Sequence, residues 1–179
     1  MDKPKQYEDQ IKSVFGYEAS DLETNEAGSI SRHQHDRLRR ERIQATSIWT
    51  LIALLELLGL MFAIPLLVTS FPLSLVVSPL FLMLAGLIVA GYYVRRADHL
   101  GADMNENRAA SVEGPVELGT GGTPNGTFYS MIVEMQRFSL KRSEFLALKN
   151  GDPYRVYYTP RSNKILAVEW LRDGEDNLI

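Results

Sequence analysis

Two long apolar runs, separated by three residues, constrain this chain more than any other feature. Residues 48–68 read IWTLIALLELLGLMFAIPLLV with one charge, Glu56, and residues 72–94 read PLSLVVSPLFLMLAGLIVAGYYV with none. As helices, each would extend roughly 30–35 Å at about 1.5 Å per residue. A hydrocarbon core is roughly 30 Å thick. One such run suits the buried helix of a soluble domain, but two in succession point to a transmembrane hairpin. Thr69, Ser70 and Phe71 suffice only for a tight turn, and Pro72 fits the first position of a second helix. Residues 1–47 are largely polar, so a cleavable leader is not expected.

The flanks give the hairpin an orientation. Arg37, Arg39, Arg40 and Arg42 precede the first run, Arg95 and Arg96 follow the second, and the intervening turn has no basic residue. Basic residues favour the cytoplasmic side, which predicts a multi-pass protein of the inner (plasma) membrane with both termini cytoplasmic. Trp49 and the pair Tyr92–Tyr93 fall at that same interface, and Phe71 at the opposite one. The arginines have two readings, as a topology signal or as a contact for anionic lipid. On this orientation Asn125-Gly126-Thr127 is a turn rather than a glycosylation site.

Within the runs, Glu56 is the residue that needs a cause, because an ionisable group near mid-depth is costly and a functional role is the default hypothesis. Counting outward from the turn places it opposite Ala85 and Gly86. It is either a neutral acid donating one hydrogen bond between helices or a site for a proton or ion. Pro65 and Pro79 predict slight bends. Gly59 with Ala63, and Gly86 with Ala90, have the spacing that lets helix backbones approach closely.

The N-terminal segment, residues 1–47, has a helical repeat at Tyr7, Ile11, Val14 and Phe15, with Gly16 placed to stop it. Ser20-Asp21-Leu22-Glu23 is a capping-box pattern for a second short helix, and Ser31-x-x-Gln34 is another, opening a helix that runs on into residue 48. His33 and His35 lie on different helical faces with no third ligand at metal-site spacing, so a solvated face is expected there.

Residues 95–108 read as a linker. Beyond them the period changes to that of strands, and residues 109–172 form a small β domain, followed by a flexible tail over 173–179. Strands are expected over 111–118, 128–133, 137–140, 154–158 and 165–171, with a glycine-rich loop at 119–126 and a short helix capped by Ser143. Strand–strand–strand–helix–strand–strand is the order of a small barrel, OB-like or SH3-like. In this reading Tyr154, Val156 and Tyr158 face inward while Arg155 and Tyr157 face solvent.

Composition excludes several functions. No cysteine is present, which removes disulfides, thiolate metal sites and cysteine nucleophiles. From residue 109 onward eight Lys/Arg face nine Asp/Glu, so nothing tracks a phosphate backbone and nucleic acid is not an expected partner. GTGGTPNG lacks the Lys-Ser/Thr sequel of a phosphate loop. The acids show no pairing suited to acid–base catalysis. No catalytic residue, cofactor or metal site is expected.

The stretches DLETNEAGSISRHQHDRLRRER and YRVYYTPRSNKILAVEW resemble uncharacterised bacterial two-span membrane proteins with a small cytoplasmic β domain. The layout is also loosely similar to membrane-anchored OB-domain proteins of the nodulation-efficiency type, whose spans are usually more numerous. That resemblance implies architecture and no activity. Two function classes follow: a non-enzymatic membrane-anchored interaction or scaffold protein, bound to the bilayer and to a sister copy or membrane partner, or a small oligomeric pore or transport-associated subunit using Glu56.

Overall fold

Local signals set the helix ends in the computed structural model, which describes residues 3–68, 73–123 and 126–171. Helix α1 (Lys3–Phe15) stops at Gly16, whose φ of 67° is left-handed and whose N–H returns to the Lys12 carbonyl at 2.9 Å. Helix α2 (Ala19–Glu26) begins before the expected Ser20 cap. Its first turn is closed by Asp21, which accepts the Glu18 N–H at 2.8 Å. Helix α3 (Arg32–Val68) opens on the Ser31–Gln34 capping box: Ser31 Oγ accepts the Gln34 N–H at 3.1 Å, and Gln34 Oε1 accepts the Ser31 N–H at 3.2 Å. It runs through residue 48 without a break. Helix α4 (Leu73–Glu106) likewise continues through most of the expected linker.

The remaining elements are β1 (Ala110–Thr123), β2 (Gly126–Val133), β3 (Gln136–Leu140), α5 (Arg142–Ala147), β4 (Pro153–Tyr158) and β5 (Ile165–Trp170). The strands form one antiparallel sheet in the order β3-β2-β1-β4-β5. Strand β1 serves two partners. Ala110 to Pro115 pair with β4, and Val116 to Thr123 pair with β2, the change falling between Pro115 and Val116. Most of the expected glycine-rich loop is therefore strand. The Phe128 ring lies across Gly121, in the space a Cβ there would need.

The barrel expected from the element order is not formed; the sheet is open. Closure would need the β3 and β5 edges to meet, and the outer edge of β5 is already occupied. The Tyr17 hydroxyl donates to the Val168 carbonyl, and the Gln34 amide donates to the Leu166 carbonyl at 3.4 Å. Side chains from the N-terminal segment thus satisfy acceptors that a closing strand would have used.

The two-crossing hairpin is corrected as well. Among the described residues one helix is long and apolar enough to cross a membrane, within Arg32–Met61. The described part of α4 does not make a second such helix. The Thr69–Phe71 turn, Pro72, the side chains of Ala63, Pro65 and Pro79, Asn125 of the sequon, and the tail lie outside the described residues.

Two compact units result. Residues 3–35 and 103–171 make one, and the described part of Asp36–Ala102 makes the other. In the first, α1 packs on β5 and α5, α2 packs on β5, and α5 covers β2 and β3. Strand β4 is therefore buried on both faces. Tyr154 and Tyr157, three residues apart and pointing oppositely, are 0% and 2% exposed. Tyr157 was expected in solvent and is buried instead. Tyr158 is half-buried, its ring 5.2 Å from that of Phe138.

Candidate membrane interface

In the second unit α3 and α4 each divide into two faces. Leu38 and Ala45 on α3, with Ala97 and Leu100 on α4, are buried. On the other faces large apolar side chains stand in the open. Leu51, Leu54, Leu55, Leu57, Leu58 and Met61 are exposed on α3, Leu54 to 62%; Phe81, Leu84, Leu87 and Ile88 are exposed on α4, Phe81 to 73%. Water-soluble monomers rarely display a contiguous apolar surface of this kind.

The inward faces carry the polar contacts between the helices. Arg96 pairs with Glu41 at 3.7 Å, and the Arg42 guanidinium lies against Gly101, where any larger residue would crowd it. About four turns further along α3, the Glu56 carboxyl occupies the room left by Gly86, in the space of the absent Cβ. Of the two residues expected opposite Glu56, Gly86 makes this contact. The other carboxylate oxygen, Oε2, is buried and has no hydrogen-bond partner among the described residues. Trp49 is half-buried, and Tyr92 meets Tyr93 edge-on at 5.4 Å.

The six arginines do not behave alike. Arg39, Arg40, Arg42 and Arg95 are exposed, whereas Arg37 and Arg96 are half-buried. Arg42 and Arg96 reach across to the other helix.

The first unit offers a different chemistry. Tyr7 and Tyr154 share a hydrogen bond, the Lys149 N–H donates to the Tyr154 hydroxyl at 3.1 Å, and the Lys149 ammonium sits 4.5 Å above the Tyr7 ring. The Trp170 ring meets Tyr7 at right angles, 5.2 Å away. Beside it a cleft of about 200 Å³ is lined by Glu8, Ile11, Lys12, Tyr17, Glu169 and Trp170, among others. Burial pushes the Tyr17 and Tyr154 phenols well above their ordinary range, so both remain protonated hydroxyls. On β4, Arg155 bridges Glu113 and Glu169, the latter at 3.1 Å, and the Glu113 contact raises its already high pKa further. These are cross-strand ion pairs; they hold neighbouring strands in register.

Two tethers had no sequence signal of their own. Asp103, 1% exposed, accepts the Arg161 and Ser162 N–H groups at 2.9 and 2.7 Å, locking the end of α4 to the β4–β5 turn. It lies in what reads as a polar linker. Gln34 bonds to β5, but its capping role already accounts for it locally. His33 reaches Asp21 at 3.4 Å, and His35 and His99 belong to α3 and α4. Among the described residues no group of three His, Asp or Glu is placed to hold a metal ion. No protein-family model matches the chain, and no curated protein matches it either.

Proposed function

We propose that this is a non-enzymatic, membrane-anchored interaction protein of the inner (plasma) membrane, held in lipid by the apolar face of α3. The observation that carries the reading is the exposed apolar surface of α3 and α4, in a chain whose other unit buries its own core. Lipid is the solvent in which such a surface costs nothing. Residues 3–35 and 103–171 belong to one folded unit, so they share one side of the bilayer. The arginines next to the apolar faces favour the cytoplasmic side. For contact with a partner or a sister copy, that unit offers the exposed apolar side chains of Met135, Leu146 and Phe128.

A pore or transport-associated role has one observation in its favour, the buried, partnerless Oε2 of Glu56. Against it, the same carboxyl is wedged against Gly86 inside the helix pair. Glu56→Gln separates the readings: a scaffold keeps its crosslinked partner, and a pore changes its ion or proton flux.

The test combines fractionation with labelling. The chain should stay in membranes through an alkaline carbonate wash, and single cysteines at Ser20 and Ser139 should be protected from an impermeant thiol reagent in intact cells. Release by carbonate removes the anchor; labelling of both cysteines reverses the orientation.

A further inference from the structure

Resting on the membrane reading above, we infer that Arg39, Arg40 and Arg95 form a binding site for the headgroups of anionic phospholipids, while Arg42 and Arg96 hold the two helices together. The division follows from which arginines are seen to contact the other helix, and helical geometry places the remaining three. At about 100° per residue, positions whose accumulated turn differs by about 20° or less share a face. Arg39 falls in line with Leu57, Arg40 with Leu51 and Leu58, and Arg95 with Leu84 and Ile88. All five of those apolar residues are exposed. Each of these arginines therefore stands at the end of an exposed apolar stripe. Arg42 is in line with the half-buried Trp49 and also with the exposed Leu60, so its face alone does not set it apart. Its contact does: the guanidinium lies against Gly101 on α4. Arg96 is committed to Glu41.

Charge and chemistry favour a phosphodiester over a zwitterion. Across residues 36–42 and 95–98 six arginines face three carboxylates, Asp36, Glu41 and Asp98, and Glu41 is engaged by Arg96. Guanidinium groups present paired N–H donors that match phosphate oxygens. Arg95 directly follows the last apolar residue of α4, Val94. Because helical side chains lean toward the N-terminus, it leans back toward the bilayer. Arg39 and Arg40 stand about two to three turns before the apolar run, and their long side chains add to the positive charge that faces the headgroups.

The test uses the full-length chain carrying Trp170→Phe, which leaves Trp49 as the sole tryptophan, reconstituted in vesicles of phosphatidylcholine with one third phosphatidylglycerol. Bromine is placed on the acyl chains of one lipid at a time, and quenching of Trp49 reports which lipid adjoins the helices. Phosphatidylglycerol should be preferred about three- to tenfold at low salt, and the preference should shrink in 0.5 M sodium chloride. Arg39→Gln, Arg40→Gln and Arg95→Gln combined should bring it close to one, while Arg42→Gln and Arg96→Gln should retain it. Equal quenching by both lipids overturns the headgroup site and leaves the membrane reading standing; quenching by neither sinks the membrane reading itself. Loss of the preference in Arg42→Gln or Arg96→Gln, equal to that of the triple variant, overturns the division between faces. Displacement by inorganic phosphate, but not by chloride of matched ionic strength, would assign the arginines to the free ion instead.

Discussion

The two units use the same apolar vocabulary in opposite ways. In the folded unit Tyr154, Val156, Leu166 and Val168 are fully buried, and even the second face of β4 is covered. In the helical unit leucines and isoleucines at regular spacing are exposed on both helices. On the membrane reading proposed above, the two patterns answer to two solvents. The first unit excludes water by packing on itself; the second leaves that exclusion to its surroundings.

Truncating the centre of the first unit should give the largest effect. Tyr154→Ala removes a fully buried ring and its bonds to Tyr7 and Lys149, and should cost about 3–5 kcal/mol, read from a denaturant midpoint by near-ultraviolet dichroism. A cost near zero would show that this unit does not close on its own core.

The counterpart in the second unit is Leu54→Arg, on the open face of α3. In lipid it should cost about 2.5–3.5 kcal/mol and lower the membrane-integrated fraction. On a helix surface in water the same change stays within about 0.5 kcal/mol. Unchanged membrane integration would break the contrast between the two units.

The contact of Glu56 with Gly86 predicts a smaller, coupled effect. Gly86→Ala should destabilise the helix pair by crowding the carboxyl, and Glu56→Ala should relieve it, with a coupling of about 1 kcal/mol in mixed-micelle unfolding. Additive single effects would place the two residues apart.

The smallest effect is alkaline. Burial holds the phenols of Tyr17 and Tyr154 above the ordinary value near 10 in the folded chain. Above about pH 10 the unfolded chain therefore releases protons that the folded chain retains, and stability falls as pH rises through that window. Below pH 10 these groups add no pH dependence. Absorbance near 295 nm should show these two tyrosines ionising only with loss of structure. A single ionisation step near pH 10 with the fold intact would contradict their burial.

Much of the local structure was legible because it rests on short-range chemistry. The Ser31–Gln34 cap, the stop at Gly16, the strands near 128–133 and 154–158, and the placing of Glu56 opposite Gly86 each follow from spacing alone. The barrel was misjudged because element order does not reveal what occupies an edge; Tyr17 and Gln34 reach β5 from 151 and 132 residues away. Tyr157 was misplaced for the same reason, since strand alternation marks two faces but cannot say that both are covered.

The sequence by itself determined where apolar surface is concentrated, where helices begin and where arginines adjoin that surface, because periodicity and capping act within a few residues. Only the tertiary structure decided that residues 3–35 complete the C-terminal sheet, that Asp103 ties α4 to the β4–β5 turn, and that the arginines divide between helix pairing and open faces. Those outcomes depend on groups far apart in the chain, whose hydrogen bonds and burial exist only once the chain has folded.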